Sequence, residues 1–585
     1  MQAPTTRLGA TGLLAVLALL ASCHGCPVDD GRVAVEPLDV PLGAMYFCPY
    51  WPMHALSGNC NARADAPCAY AGLGLPRIKL EAIRWDSVEP SAPSGGQHSY
   101  DWSVLDDAVL RWEEAGARQL QFHVEPHASW GTQASRPIAE EVFGLDCDEV
   151  PGHCEDLPAN PEPQRWEDWR AFVTALCERY DGDGVDDVEG LLAAHLEFEL
   201  LNEGQNWQFY MGSAEDYAEL LAQTRQALDA CNERAQLIHY GVTFNGLTHG
   251  GVSDEAYWER QEQKAESLDS VLYGPGYRHA HAMMLGSPEP DASVDATGTL
   301  SLCADFEQVD LNCNMSIAHM IEEHAFLRAK LDGYGCEHVQ ILCGDSTSAP
   351  ALYSPTELEW WDSSWSGADT RGEALHAVLG APYATYGALC NPDGLDAGLP
   401  YDQVKAWYDQ QHAAWAVKKA ATALALGMTG FMAGLLENWP PASGCYWMYQ
   451  GMSASEVEAL GLLPVSYGAP EPVYRSYRLL AEKLAGYARA SRAVVDGVTV
   501  LAFAFEDADK PPLWLVWYLD DALPEPGAAE QTHAFTLDVG ASSVRITRLI
   551  TEAGVETPST ETFEAPGGLY TGEAGQTPFF VEAGG

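Results

Sequence analysis

A carboxylate follows an amide in one strand-like stretch, HLEFELLNEGQNW, which spans residues 195–207. Glu203 stands directly after Asn202, and Trp207 comes four residues later. A glutamate at the end of a strand can act as a general acid when apolar neighbours and a second carboxylate raise its pKa. Asn202 could hold a sugar hydroxyl, and an aromatic ring such as that of Trp207 could stack on a sugar. Alternatively, Glu203 caps the next helix or pairs with a basic residue.

The same stretch carries two more acidic residues. Glu197, Glu199, Leu201 and Glu203 share one face of an extended strand, because side chains alternate along it. Charged side chains that face a protein interior are costly unless they are paired or used in chemistry. Breaking a glycosidic bond needs two carboxylates, so this stretch requires a partner elsewhere in the chain.

Strand-like and helix-like segments alternate along most of the 585 residues. Apolar runs predict eight strands, at 44–51, 77–85, 117–125, 195–203, 234–244, 308–314, 338–345 and 427–436. Helical patterns lie between them, at 103–116, 164–180, 213–233, 316–333 and 403–426. This alternation implies parallel pairing and favours an α/β fold, a (β/α)8 TIM barrel. The alternative, an open doubly wound sheet, would want a glycine-rich phosphate turn after an early strand, and the sequence has none.

The pattern changes after about residue 490. The runs VTVLAFAF, LWLVWYL, HAFTLDV, SVRITRLI and TPFFVEA read as strands joined by turns, without helices between them. They predict a small C-terminal β-sandwich. The predicted organisation is therefore a signal peptide (1–22), a tether (23–40), a barrel (41–490) and a β-sandwich (491–585).

The N-terminus predicts export. Arg7 precedes the apolar run GLLAVLALLA, which is too short to cross a bilayer as a mature helix and is typical of a signal-peptide core. The end of this run and the two residues after it read LASC (20–23). They resemble a bacterial lipobox, in which the cysteine, here Cys23, is acylated and anchors the protein. Without an acidic residue at position 24, the resemblance favours the outer membrane or cell surface. An ordinary signal peptide cleaved nearby is the alternative.

The cysteine content fits an oxidising compartment. Setting Cys23 apart from the 15 cysteines leaves 14, an even number. Three pairs bracket short loops and are candidate disulfides: Cys60/Cys68, Cys147/Cys154 and Cys303/Cys313. No pair has the spacing of a zinc site.

The formal net charge of −53 argues against nucleic acids and anionic membrane surfaces as partners, because both would be repelled. We interpret the acidic residues, which are spread along the chain, as a solvated surface.

Three motifs together resemble the clan A glycoside hydrolases, most closely families 39 and 5. WDSVEPS (85–91) is followed by YDWSVLDDAVLRWEEAGARQLQFHVEPHASWG (100–131) and then by FELLNEGQNW. The family pattern is W-x-x-(I/V)-E-P, then Y-D-(W/F)-x-x-L-D, a glycine before strand three, and an asparagine–glutamate pair ending strand four. The resemblance covers residues 44–490. It implies a TIM barrel that hydrolyses O-glycosidic bonds, with Glu203 as the acid/base.

The same resemblance places the nucleophile, also a glutamate, at the end of strand seven. Here Cys343 stands at that position, and Asp345 lies two residues further on. Asp345 could be the nucleophile of a retaining site or the base of an inverting one. It could also be a turn or helix-capping residue, in which case the site has lost hydrolysis and only binds glycans. Cys343 is not expected to be the nucleophile, because no histidine stands close to it in sequence.

Further residues are predicted to bind the sugar. Besides Asn202 and Trp207, they are His123, Glu125 and Trp130 after strand three, Asn312 on strand six, and Glu437 and Trp439 after strand eight. Glu437 is also the reserve carboxylate should Asp345 fail. The strand-two arginine of the family has no clean counterpart, and Lys79 is the nearest basic residue. This chemistry requires no cofactor.

An acidic turn, DGDGVDDVEG (181–190), precedes strand four. It is rich in the oxygen ligands that calcium prefers, with Asp181, Asp183 and Asp187 as candidates for a structural Ca²⁺ site. The full twelve-residue calcium-loop pattern is absent, since Val185 occupies a ligand position. A polar turn is therefore favoured over a metal site.

Taken together, these features predict an exported, lipid-anchored glycoside hydrolase. The alternative is an inactive surface lipoprotein, derived from such an enzyme, that binds glycans without cutting them.

Overall fold

The structure is a computed structural model. It describes residues 38–46, 70–142, 158–201, 204, 210–212, 214–242, 305–313, 317–333, 335–346, 401–433, 472–505, 507, 510–519, 524 and 527–584.

Eight strands and the helices between them form the larger part of the described chain. The strands are β1 (Leu42–Tyr46), β2 (Arg77–Arg84), β3 (Gln119–Glu125), β4 (Glu197–Leu200), β5 (Gln236–Val242), β6 (Gln308–Leu311), β7 (Gln340–Leu342) and β8 (Phe431–Ala433). The helices are α1 (Ser103–Glu114), α2 (Ser135–Val142), α3 (Trp166–Tyr180), α4 (Ala214–Cys231), α5 (Ile317–Gly333), α6 (Tyr401–Ala425) and α7 (Pro472–Leu484), with a single helical turn at Trp85–Val88. The eight strands that the sequence predicts are confirmed.

The eight strands pair in parallel in the order β7-β6-β5-β4-β3-β2-β1-β8. The two ends of this sheet meet. The Cys343 amide donates to the Gly430 carbonyl at 2.9 Å, and the Met432 amide donates to the Cys343 carbonyl at 2.7 Å. The sheet is therefore a nearly closed parallel barrel, which confirms the predicted architecture over the open doubly wound sheet.

The apolar core lies between the barrel and its helices. Outward-facing strand residues, among them Leu80, Phe122 and Phe198, belong to one continuous buried cluster with helical residues such as Trp112 and Phe172. Burying a side chain of this size stabilises the fold by about 1.5–3 kcal/mol. Since side chains alternate along each strand, the other face of every strand points into the barrel.

Antiparallel strands follow α7. They are β9 (Tyr487–Val495), β10 (Val498–Phe505), β11 (Leu513–Tyr518), β12 (His533–Asp538), β13 (Ser543–Arg548), β14 (Thr560–Glu564), β15 (Leu569–Ala574) and β16 (Phe579–Ala583). Six of them form a sheet in the order β14-β13-β16-β11-β10-β9, and β12 pairs with β15 in a second sheet. A separate apolar cluster, with Val516, Phe535 and Tyr570, includes residues of both sheets. Residues 490 and 491, where the sequence places the domain boundary, both lie in β9.

The six-stranded sheet packs against the barrel helices. Leu501, Leu515 and Trp517 belong to the same core cluster as the barrel strands. The Trp407 indole on α6 donates to the Pro524 carbonyl at 2.8 Å. Barrel and sheet therefore share a core over this face.

One disulfide, Cys177–Cys231, joins α3 to α4. Cys336 is also disulfide-bonded, whereas Cys313 and Cys343 carry free, buried thiols. The predicted Cys303/Cys313 pairing is therefore wrong. Cys313 lies in the core after β6, where its thiol is hydrogen-bonded to that of Cys343. The predicted pairs Cys60/Cys68 and Cys147/Cys154, and the predicted lipidation site Cys23, lie outside the described residues.

Among the helices that the structure describes, none is both long and apolar enough to cross a membrane.

Candidate active site

Polar side chains line the inside of the barrel, starting at its floor, where the strands begin. The Arg77 guanidinium on β2 donates to both carboxylate oxygens of Glu197 on β4, at 2.9 and 2.7 Å, and to the Thr429 carbonyl at 3.0 Å. Because β2 and β4 are not neighbouring strands, both side chains must point into the barrel. Both are almost fully buried. Removing one partner of such a pair costs about 3–5 kcal/mol, because it leaves a buried charge uncompensated.

A second set of charges lies one layer above this floor. The Lys79 ammonium contacts Oε2 of Glu199 at 2.7 Å and Oδ2 of Asp310 at 3.2 Å. The Gln121 amide donates to the same Glu199 oxygen at 2.7 Å. All four side chains are fully buried. Glu197 and Glu199 on the inner face of β4 thus each have a basic partner. Lys79 lies inside the barrel and not at its mouth.

His123 and Glu125 lie at the carboxyl end of β3. The His123 imidazole is fully buried, and its Nε2 atom is 3.7 Å from Oε1 of Glu125. Burial, with the charge of Lys79 as a second cause, holds the pKa of His123 well below its usual value. His123 is therefore neutral at pH 7, so it offers one hydrogen-bond donor and one acceptor.

Asp345 and Asn312 come together at the ends of β7 and β6. The Asn312 amide donates to Oδ2 of Asp345 at 3.4 Å. Asn312 is buried, whereas Asp345 is half-buried. The Asp345 carbonyl accepts a hydrogen bond from the Cys313 amide at 2.8 Å and contacts the Cys343 thiol at 3.6 Å. The structure therefore brings these two predicted site residues into contact.

Cys343, which stands at the position of the nucleophile in the resembling families, does not lie on the inner face of the barrel. It is fully buried and belongs to the core cluster that holds the outward-facing strand residues. Burial first, and then its hydrogen bond with Cys343, raises the pKa of the neighbouring Cys313 thiol. A thiol that lies fully buried in the outer core cannot reach a substrate inside the barrel, which supports the prediction that Cys343 is not the nucleophile.

β4 ends earlier than the sequence predicts. Its last residue is Leu200, and Leu201 has a positive φ of 70°, a conformation that is uncommon for a leucine. The alternation of side chains therefore stops before Glu203, and Leu201 belongs to the outer core instead of the inner face. The predicted residues Asn202, Glu203, Trp207, Glu437 and Trp439 lie outside the described residues.

Gly204, the residue directly after Glu203, lies against β5. A Cβ atom at this position would lie 2.6 Å from Cδ1 of Tyr240, so the backbone is pressed against the Tyr240 ring on β5. Tyr240 is fully buried, and its hydroxyl has no hydrogen-bond partner among the described residues. Sequence reasoning missed Tyr240. Its only signal was a hydroxyl-bearing residue near the end of a barrel strand.

Trp130 is firmly held. Its indole meets that of Trp85 edge to face, with ring centroids 4.6 Å apart, and donates to the Glu89 carbonyl at 2.9 Å. The Arg165 guanidinium lies 5.6 Å from the Trp130 ring centroid. The predicted contact of Trp130 with a sugar stays a prediction.

The WDSVEP motif forms side-chain contacts within the loop after β2 and to the loop after β3. Glu89 accepts a hydrogen bond from the Trp85 indole at 3.1 Å, and its other oxygen lies 3.0 Å from Nδ1 of His98. Asp86 contacts His127, which follows β3, at 3.1 Å. The motif therefore ties the loops after β2 and β3 together at the mouth of the barrel.

The acidic turn before β4 bonds mainly to itself. Asp181 and Asp183 each accept a backbone N–H two residues further on, and Asp187 accepts those of residues 182 and 184. Carboxylate oxygens of Glu178, Asp181 and Asp183 nevertheless lie within 4.8 Å of one another. Burial, and then the neighbouring aspartates, raises the pKa of Glu178. The contacts are those of a polar turn, and the Ca²⁺ site stays a prediction.

No protein-family model and no curated protein matches the chain. Solved structures do match. A family 39 glycoside hydrolase from the gut symbiont Bacteroides cellulosilyticus WH2 has a TM-score of 0.50 at 11% identity, over 94% of this chain and 81% of that chain. A GH39 enzyme from Xanthomonas axonopodis pv. citri has a TM-score of 0.48 at 11% identity, over 96% and 100%. A monomeric beta-xylosidase from Caulobacter crescentus CB15 has a TM-score of 0.47 at 13% identity, over 94% and 97%. At such identities, the first match shows a shared fold.

Proposed function

We propose that this chain is a glycoside hydrolase that cleaves O-glycosidic bonds of an oligo- or polysaccharide. Glu203 is its acid/base, and Asp345 is its second carboxylate. The observation that carries the proposal is the place of Asp345: it is half-buried at the carboxyl end of β7 and in contact with Asn312. In a TIM barrel, this end of the strands is where active sites lie.

The three positions that follow β7 explain why a carboxylate would stand at 345. The side chain of Cys343 belongs to the outer core. Position 344 has no room for a side chain, because a Cβ atom there would lie 2.7 Å from Cγ of Asp310. Asp345 is thus the first residue after β7 whose side chain is partly open to solvent. With Asp310 inside the barrel, position 345 is therefore where the second catalytic carboxylate would have to stand.

Polar groups at the carboxyl ends of other strands suit a sugar. Asn312 at the end of β6, and His123 and Glu125 at the end of β3, offer donors and acceptors in a buried setting. Neutral His123 adds no positive charge. Asn202, Trp207, Trp130, Glu437 and Trp439 complete the predicted sugar contacts.

Two mechanisms remain for the pair of carboxylates. In a retaining site, an Asp345 oxygen bonds to the anomeric carbon as the glycosidic C–O bond breaks, and Glu203 protonates the departing oxygen. Water then adds to that carbon, Glu203 takes its proton, and Asp345 is released. In an inverting site, Asp345 takes a proton from the attacking water while Glu203 protonates the leaving group. Carboxyl groups about 5–5.5 Å apart favour the first mechanism, and a gap of about 6.5–9.5 Å favours the second.

The predicted cellular setting is part of the proposal. The apolar run before Cys23 would direct export, and acylation of Cys23 would anchor the enzyme in the outer membrane or at the cell surface. A bound Ca²⁺ at Asp181, Asp183 and Asp187 would stabilise the turn before β4 without taking part in hydrolysis.

A glycan-binding protein without hydrolytic activity is the second candidate. The observation that favours it is Cys343: it stands where the resembling families have their nucleophile, and the carboxylate that follows it, Asp345, has a shorter side chain than a glutamate. Such a protein would keep the sugar contacts and lose the reaction.

The test is hydrolysis of a panel of plant, algal and bacterial polysaccharides by the wild type, Glu203→Gln and Asp345→Asn. Asp107→Asn is the matched control, because Asp107 is exposed on α1 and, within the described part of the chain, bonds only Arg111 on the same helix. Sugar release that both site variants abolish and the control keeps would support the proposal. The anomeric configuration of the first product, followed by NMR, distinguishes retention from inversion.

Loss of activity in Glu203→Gln alone would move the second carboxylate to Glu437. A folded wild type that binds a glycan and releases no sugar from any substrate would refute hydrolysis and leave the binding protein.

A further inference from the structure

The middle layer of the barrel holds two carboxylates and one ammonium. Lys79 contacts both Glu199 and Asp310, and all three side chains are fully buried. His123 adds no charge, since burial and the nearby ammonium keep its pKa well below its usual value. Buried ion pairs are weak sources of stability, and an apolar layer of similar volume is often as stable. These charges therefore need a reason other than stability.

Asp310 uses its two oxygens for different tasks. Oδ1 accepts the Gly344 amide hydrogen bond at 2.5 Å, and Oδ2 accepts from the Lys79 ammonium at 3.2 Å. Because a Cβ atom at position 344 would lie 2.7 Å from Cγ of Asp310, only glycine lets the backbone come so close. The carboxylate thus holds the turn after β7 from inside the barrel, and Lys79, which it shares with Glu199, is its counter-ion.

Three contacts from β6 and its extension hold this turn. Besides the contact from Asp310 to Gly344, the Asn312 amide meets Oδ2 of Asp345 at 3.4 Å, and the Cys313 amide donates to the Asp345 carbonyl at 2.8 Å. Asp310 acts on the residue before Asp345, and the other two contacts act on Asp345 itself. Fixing the backbone at two successive residues fixes the direction in which the Asp345 side chain leaves it.

We propose that Asp310 is a positioning residue for Asp345, which it holds through the Gly344 amide with Lys79 as its counter-ion. The network continues through Glu199 on β4, three residues before the Asn202–Glu203 pair begins. It thus connects the two strands that carry the proposed catalytic carboxylates. This inference rests on the proposed function, but its structural part does not depend on hydrolysis.

The test compares Asp310→Asn with Glu197→Gln, a matched control in the floor pair with Arg77. The Gly344 amide and Lys79 are both donors and meet different oxygens of Asp310. An asparagine replaces one of these oxygens by an NH2 group, which is itself a donor, so one of the two contacts is lost. Both variants weaken a buried pair and should lower the unfolding temperature. Only Asp310→Asn should lower kcat, by about 100-fold with KM within about threefold, because displacing a reacting group by about 1 Å costs that much. Only Asp310→Asn should also speed amide exchange in the peptide 340–346, which is measured by mass spectrometry.

Equal effects of the two variants on kcat, KM and exchange would overturn the positioning role and leave Asp310 a structural residue. If the wild type hydrolyses nothing, the proposed function fails, and the exchange comparison still decides the positioning role. Faster exchange in Asp310→Asn alone supports it, and unchanged exchange refutes it.

Discussion

The Tyr240 hydroxyl should contribute nothing to stability. Tyr240 is fully buried, with its ring centroid 5.0 Å from that of Tyr217, and its hydroxyl has no hydrogen-bond partner among the described residues. Burial raises the pKa of the phenol well above its ordinary value, so it stays neutral. A buried hydroxyl without a partner pays its desolvation penalty uncompensated. Tyr240→Phe removes only that oxygen, so the free energy of unfolding should stay unchanged or rise by up to about 1 kcal/mol.

Tyr210→Phe is the matched control. Tyr210 is also fully buried, but its hydroxyl donates to Oδ1 of Asn160 at 2.7 Å. Removing it deletes that bond and leaves a buried acceptor unpaired, which costs about 1–3 kcal/mol. Denaturant unfolding of the two variants beside the wild type should therefore separate them by about 2 kcal/mol, the sum of the two opposite effects. A loss in Tyr240→Phe equal to that in Tyr210→Phe would refute the reasoning.

The same variant also tests the site. The Tyr240 ring packs against Gly204, directly after the proposed acid/base Glu203. If Tyr240→Phe keeps its stability and loses activity, its hydroxyl serves the bound substrate or Glu203 during the reaction. If neither stability nor activity changes, the role of Tyr240 is limited to the packing of its ring against Gly204.

Two further predictions concern stability. Replacing Cys177 and Cys231 together by alanine removes a cross-link that spans 54 residues. Because the unfolded chain regains entropy, the free energy of unfolding, measured with denaturant, should fall by about 4 kcal/mol. A fall below about 1 kcal/mol would show that the packing of α3 on α4 holds the two helices together without the disulfide. Burial raises the pKa of Glu582, but hydrogen bonds from Arg545 and Lys483 outweigh it and leave that pKa below its usual 4.5. The carboxylate therefore stabilises the fold above pH 4.5, and this is lost as pH falls through the lower folded pKa. The stability gap between wild type and Glu582→Gln should narrow below that pH, and a gap constant down to about pH 3 would contradict this.

Hydrophobic periodicity was sufficient to locate the barrel. Each barrel strand carries apolar residues on its outer face, since that face packs on helices, and this produces short apolar runs between longer helical patterns. The sequence missed β9, β14 and β15, and for β9 and β14 the reason is the opposite one. β14, TETFE, is exposed along its whole length, so it shows no buried face. β9, YARASRAVV, has no buried residue either and forms an edge of its sheet.

The errors at the site arose where backbone geometry departs from regular alternation. Leu201, with a φ of 70°, ends the regular strand before Glu203, and no residue type in ELLNE announces that turn. Cys313 has a close cysteine in sequence at 303, but its sulfur faces Cys343 on the neighbouring strand. Pairing across strands depends on register, which spacing along the chain does not reveal.

The arrangement of charges inside the barrel also suggests why the protein keeps them, although burying charged groups is energetically unfavourable. The outer core already holds strands to helices, so the inner layers are free to contain Arg77 with Glu197 at the floor and Lys79 with Asp310 above it. Apolar contacts are non-directional, whereas a carboxylate that must meet both an ammonium and a backbone N–H fixes an angle as well as a distance. A site that must keep two carboxylates within an ångström or so of a working separation needs directional contacts beneath it. The Lys79–Asp310 pair therefore belongs with the chemistry at the mouth, so Asp310→Asn should lower kcat as well as stability, whereas a change in the floor pair should lower stability alone.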